Sequence, residues 1–195
     1  MANYRAIRAT CEAVLRVLEQ TWEQTSMFNG AHLDFMVYHT QQFQQRPVRT
    51  GISLFLYNVS INTTRRIPPA RPRPDGTARP PQLPLDLHVL LTPWADEASL
   101  QQDILGWMLR VLEDTPLLSV AVLNTPSDMV FNPDETVEIV GGFLTIEDML
   151  RIWDGLPGDF QLSVPYTARV VRIDSEREVL RGGPVLTREL DFGQV

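Results

Sequence analysis

The chain has 195 residues, 44% apolar and 21% charged, with a formal net charge of −7, one cysteine and 17 basic residues that are all arginine. This is the composition of one globular domain. It excludes collagen-like, disordered and disulfide-dense classes, and a chain of this length removes roughly 70% of its unfolded surface from water without a staple. The lone Cys11 permits no intramolecular disulfide and no Cys-rich zinc pattern, and no stretch approaches the ~20 apolar residues of a membrane helix. Arg5, Arg8 and Glu12 break the apolar run that a signal peptide needs, so synthesis in the cytoplasm is expected.

Asn3 is placed to cap a helix in which Ile7, Cys11, Val14, Leu15, Leu18 and Trp22 recur at helical spacing. Cys11 lies on that apolar stripe and reads as a buried, inert thiol. Residues 33–43 alternate Leu33, Phe35 and Val37 against Asp34, Met36 and Tyr38 and predict a strand, with Pro47 and Gly51 supplying the break before the next. Ile52 to Ile61 is apolar on both parities from Leu54 to Tyr57, the pattern of a strand covered on both sides and the expected centre of a sheet.

Residues 68–84 hold seven of the 15 prolines and one large apolar residue, Leu83, so they predict an extended, partly polyproline loop. Between 65 and 84, five arginines (Arg65, Arg66, Arg71, Arg73, Arg79) stand against one acid, Asp75; that segment carries +4 and the remainder therefore −11. An acidic body argues against general nucleic-acid binding. The loop is either a plain excursion between two strands or an arm that orders on a partner, with arginines as bidentate anchors for carboxylates.

Leu85 to Thr92 alternates, with Leu85, Leu87, Val89 and Leu91 on one face and Asp86 and His88 on the other; Pro93 is expected to end the strand. A helix from Asp96 carries Leu100, Ile104, Met108 and Val111 as a stripe, widened by Leu105 and Leu112, and stops before Pro116. After an apolar run from Leu117 to Leu123 comes a strand, Thr136 to Val140. Thr145, with Asp148 three residues on, opens a helix expected to turn Ile146, Met149, Leu150 and Trp153 inward. Gln161 to Asp174 predicts a long strand whose Pro165 end should be an edge or a bulge. The expected fold is α+β: one domain over 1–174 with a single mixed, largely antiparallel sheet, about three helices mainly on one face, and an extended tail over 175–195.

Catalytic patterns are sparse. No Gly-rich phosphate loop is present, no lysine exists to serve one, and His32, His39 and His88 fit no metal-binding helix motif. Asp86 and His88 share a strand face with Cβ atoms roughly 7 Å apart, and Ser53 on the neighbouring strand completes a nucleophile–base–orienter set on paper. That set lacks a strained nucleophile elbow, and polar groups satisfied by their surroundings are the plainer reading. Trp107 and Trp153, at helical spacing, read as core; Trp94, in a turn after Pro93, reads as an interface residue.

Four segments in order, SLFLYNVSIN (53–62), LPLDLHVLLT (83–92), LRIWDGL (150–156) and LSVPYTARVVRID (162–174), resemble a bacterial family catalogued mainly as a domain of unknown function. Its genes lie beside those of contractile injection systems, the phage-tail-like particles. The resemblance runs from the first helix to about Asp174. It implies a tail-terminator-like fold and a structural role: a cap forming a six-fold ring that ends the inner tube and holds the last sheath layer. The implied partners are further copies of the chain, the tube protein and the sheath protein, with no cofactor, no metal, no small-molecule substrate, no nucleic acid and no membrane insertion. Assembly is expected in the cytoplasm, with the finished particle extracellular or membrane-attached. Some family members continue into a second domain, and no catalytic residue carries over.

The contact residues expected from the chain itself are Arg65, Arg66, Arg71, Arg73 and Arg79 in the loop, Trp94, and Val179, Val185, Leu186 and Leu190 in a tail suited to strand addition. Two other readings are an adaptor that recruits a particle component or a membrane anchor through the Pro-rich loop, and a hydrolase using Asp86 and His88.

Overall fold

The computed structural model describes residues 2–23, 32–65, 71–72, 78–125 and 128–177. Helix α1 (Ala6–Glu23) begins at the expected cap: Asn3 Oδ1 accepts from the Arg5 N–H at 2.9 Å, and the Asn3 carbonyl from the Ala6 N–H at 3.0 Å. Cys11, Val14, Leu15, Leu18 and Trp22 are buried, and so are Ala6, Ala9, Thr10, Ala13 and Val17. Small side chains let neighbouring elements close on α1 well beyond its apolar stripe.

Strand β1 (Asp34–Tyr38) is shorter than the alternation over 33–43 predicts. His39 instead caps a short helix, α2 (Thr40–Gln45): its Nδ1 accepts from the Gln41 N–H at 3.4 Å while Gln42 Oε1 accepts from the His39 N–H at 2.7 Å. This reciprocal cap uses neither Ser nor Thr, so a sequence pattern does not reveal it. Phe43 anchors α2 in the core. Strand β2 (Gly51–Ile61) follows, then a 3₁₀ turn over Thr63–Arg65. Within the Pro-rich loop, two-residue strands β3 (Arg71–Pro72) and β4 (Ala78–Arg79) pair antiparallel, Arg71 opposite Arg79.

Strand β5 (Leu83–Trp94) runs through Pro93, which pairs with Ile52, rather than stopping at it. The ladder to the strand on the other side ends at Leu91, so the missing Pro93 N–H is placed where only β2 flanks β5. The remaining elements are α3 (Ala98–Asp114), β6 (Leu117–Leu118), α4 (Val120–Leu123), β7 (Val137–Gly141), α5 (Ile146–Asp154) and β8 (Val164–Ile173). The sheet order is β1-β2-β5-β8-β7-β6; β1 and β2 are parallel and every other pair is antiparallel. Pro165 lies just beyond the last β7–β8 pair, Gly141 with Tyr166, in line with the expectation that this end is incompletely laddered.

Alternation along β5 builds two cores. Leu85, Leu87, Val89 and Leu91 join Leu18 of α1, Ile104 and Met108 of α3 and Leu123 of α4. Leu90 and Trp94 point the other way, among Tyr38, Phe43, Val48 and the α5 residue Trp153. Three helices thus cover one face, and α2 with α5 cover part of the other. The α5 stripe is wider than its contact: Trp153 is buried and Met149 packs on the second core, but Ile146 and Leu150 are 80% and 45% exposed, contrary to the inward placement expected for them.

Gly51, at φ +148°, sits where β1 enters beside β2; a Cβ there would lie 2.0 Å from the Asp34 carbonyl oxygen. Gly51→Ala should therefore cost about 2 kcal/mol or more, and Leu87→Ala, a cavity in the larger core, about 2–5 kcal/mol. Urea midpoints at unchanged slope read both. A Gly51→Ala protein as stable as its parent contradicts the close approach.

Candidate functional site

Asp86 and His88 lie half-buried on the face of β5 opposite α1 and α3. Both imidazole nitrogens are engaged by hydroxyls of flanking strands: Nε2 is 2.9 Å from Ser60 Oγ, and Nδ1 is 3.3 Å from Thr167 Oγ1. Asp86 does not orient His88. Its two carboxylate oxygens accept from Asn62 Nδ2 at 3.1 and 3.0 Å, and Oδ1 also accepts from the Val170 N–H at 2.9 Å.

The Val170 contact gives the Asp86 carboxylate a structural task. Between the pairs Leu85–Val171 and Leu87–Ala168, two β8 residues, Arg169 and Val170, stand opposite Asp86 alone, which makes a bulge. Val170 adopts φ +58°, a left-handed conformation rare for a β-branched residue. The Asp86 carboxylate holds the displaced amide. A second irregularity in β2, between Leu56 and Asn58, sets the register that brings Ser60 to His88.

Ser53, the serine expected beside His88, is fully buried and accepts the Trp94 Nε1–H at 2.8 Å. The strands are joined through a long loop, so their pairing cannot be counted along the chain, and the bulge moves it again. The serine, histidine and acid that sequence brings together on paper are therefore separate structural contacts. Among the described residues, no group of three or more His, Cys, Asp and Glu side chains is placed to hold a metal ion. Burial, with a smaller contribution from neighbouring Glu12, pushes the Cys11 thiol up to about 12, which removes it as a nucleophile.

The expected contact residues divide three ways. Trp94 is only 3% exposed, a member of the second core rather than a free interface residue, because the strand continues through Pro93 and turns its ring inward. The backbones of Arg65, Arg71 and Arg79 fall in the 3₁₀ turn and the β3–β4 ladder. Arg66, Arg73, Val179, Val185, Leu186 and Leu190 lie outside the described residues.

An exposed apolar surface was not anticipated from sequence. Phe143 is 88% exposed just before α5, and Ile146 and Leu150 follow it at helical spacing along the outer side of that helix. The same periodicity also predicts burial, so spacing alone cannot distinguish a buried stripe from an outward one. Elsewhere the surface is pinned by ion pairs, with Asp128 holding Arg5 at 3.1 Å and Arg8 at 2.5 Å against the start of α1.

Asp86, His88 and Ser53 are thus each committed to structural contacts within one mixed six-stranded sheet backed by helices. The chain belongs to the family described as the Pvc16 N-terminal domain, which matches residues 9–187, in agreement with the resemblance carried by the four sequence segments. Its fold is similar to that of a solved sheath/tube terminator, "PVC sheath/tube terminator in extended state", from an extracellular contractile injection system. The TM-score is 0.57 at 14% identity, over 93% of this chain and 64% of that one. It also matches the anti-feeding prophage tube-terminating cap, with TM-score 0.49 and 18% identity over 90% of this chain and 60% of that one. The chain thus spans less than two thirds of either protein. No curated protein sequence matches it significantly.

Two measurements test the structural assignment of these groups. Asp86→Ala should cost about 2 kcal/mol because it frees a strained amide, and His88→Ala about 1 kcal/mol, with the sheet retained by circular dichroism. The Cys11 thiol ionises at about 12 when folded against an ordinary 9.0. Its contribution to stability is therefore fully present below pH 9 and is lost as pH rises from 9 towards 12, with a slope approaching about 1.4 kcal/mol per pH unit. Burial raises Tyr38 and Tyr166 in the same direction. Urea midpoints at pH 8, 10 and 11 should fall, and fall less in Cys11→Ala. Alkylation of native Cys11 by iodoacetamide at pH 8 contradicts the buried thiol.

Proposed function

We propose that this chain is a structural cap subunit of a contractile injection particle, acting without turnover. Six copies form a ring on the end of the inner tube and hold the last sheath layer. The observation that carries this reading is the likeness of fold over 93% of the chain to a protein described as a sheath/tube terminator. Membership of the Pvc16 N-terminal domain family supports it.

The physical features suit such a role. A ring subunit needs two different surfaces that meet on identical neighbours. The sheet ends in short strands, β1 and β6, at opposite edges, and Phe143, Ile146 and Leu150 offer apolar area. The proposed arms are the arginine loop (Arg65, Arg66, Arg71, Arg73, Arg79) and the tail around Val179, Val185, Leu186 and Leu190. Strand addition through backbone amides and bidentate arginine–carboxylate pairs are the chemistries they supply. The proposed partners are further copies, tube protein and sheath protein, with assembly in the cytoplasm and no cofactor. Among the described residues no helix is long and apolar enough to cross a membrane.

Mass photometry with purified tube protein should give a species of six 22.2 kDa copies, about 133 kDa before tube is counted. Particles made without the gene should have tubes of uncontrolled length or loose sheaths. Normal tubes and sheaths in a clean deletion overturn the cap assignment.

A further inference from the structure

A cleft of about 270 Å³ lies between the end of α2 and the turn from β5 into α3, and Arg46, Arg49, Trp94 and Asp96 line it. Arg46 is held in an unusual backbone state, φ +46° and ψ +60°, immediately before Pro47. A residue preceding proline is ordinarily extended, and the left-handed region costs a side chain about 1 kcal/mol or more. The surrounding fold fixes it: the Arg46 N–H donates to the Gln42 carbonyl at 2.8 Å, and the Val48 N–H donates to Tyr38 Oη at 3.0 Å.

That conformation lays the guanidinium over the Trp94 ring, 4.9 Å from its centroid. Trp94 is itself locked by its bond to Ser53 at 2.8 Å. This contact engages the π face of Trp94, and the planar guanidinium keeps a fork of N–H donors suited to a carboxylate. Arg5, Arg8, Arg110 and Arg169 all reach an acidic side chain of this chain. Arg46 and Arg49, both exposed, form no ion pair among the described residues.

We infer that this cleft is a binding site for a carboxylate presented by an acidic peptide segment of another polypeptide. The Arg46 fork, backed by the buried Trp94 ring, takes the carboxylate, and Arg49 adds a second cation. A planar, singly charged group fits better than phosphate: it matches the fork, and Asp96 in the same cleft opposes a doubly charged anion more strongly. The inference does not depend on the cap reading, since any acidic partner satisfies it.

The probe is a fluorescein-labelled hexaglutamate peptide, followed by anisotropy with the whole chain. Binding should saturate, weaken with salt, and become at least about tenfold weaker in Arg46→Gln/Arg49→Gln. An Arg151→Gln/Arg172→Gln protein, which loses the same charge elsewhere, should bind like the parent. If the cleft double variant fails to fold, Arg49→Gln alone carries the test and should still bind several-fold more weakly. The inference is overturned by absence of saturable binding, by equal loss in the control pair, or by inorganic phosphate competing at lower concentration than unlabelled hexaglutamate.

Discussion

Burial of β5 on both faces is the constraint on which the rest of the molecule depends. From Leu87 to Trp94 apart from His88, this strand is shut away from solvent, and each fully buried leucine contributes about 1.5–3 kcal/mol. One strand cannot cover itself. Leu87, Val89 and Leu91 require α1 and α3 above them, while Leu90 and Trp94 require α2 and α5 below. Its two edges are satisfied by β2 and β8. Hydroxyls drawn into this region are paired within it, Ser53 with Trp94 and Thr92 with Ser163 at 2.8 Å, while Trp153 Nε1 in the second core is buried without a hydrogen-bond partner.

The same strand shows why a row of catalytic-looking residues does not make a catalyst. On its polar face Asp86 and His88 are each saturated by partners from flanking strands. The geometry serves the sheet: Asp86 stabilises the left-handed Val170 at a bulge, and His88 bridges β2 and β8 through Ser60 and Thr167. Carboxylate, imidazole and hydroxyl act here as cross-strand struts.

Charge and apolar area are distributed in a complementary way. The body is acidic, and several of its arginines are spent on internal pairs such as Arg5 and Arg8 with Asp128. Those left unpaired at the α2–β5 cleft, together with the Phe143–Ile146–Leu150 surface, are the places where this chain has interactions to offer rather than to keep. Both flank α2 and α5, the helices that cover the sheet incompletely. A partial cover leaves the junction between helix and sheet open, and that junction is where the strained Arg46 stands.

The sequence by itself determined the long helices and strands, the α1 cap, the alternation of β5, the buried Cys11 and the six-stranded mixed sheet, though not α2 or the β3–β4 pair, because the former follow from local periodicity and from side chains meeting their immediate neighbours. It also determined the family, through four segments whose order and spacing survive without any structure. Tertiary structure alone decided that Ser60 rather than Ser53 meets His88, that Trp94 is core, and that Ile146 and Leu150 face outward. Pairing across a long loop and the choice of which side of a helix finds a core are set by contacts between distant residues. A bulge of one residue is enough to change the first, and an apolar stripe wider than the available core leaves the second open.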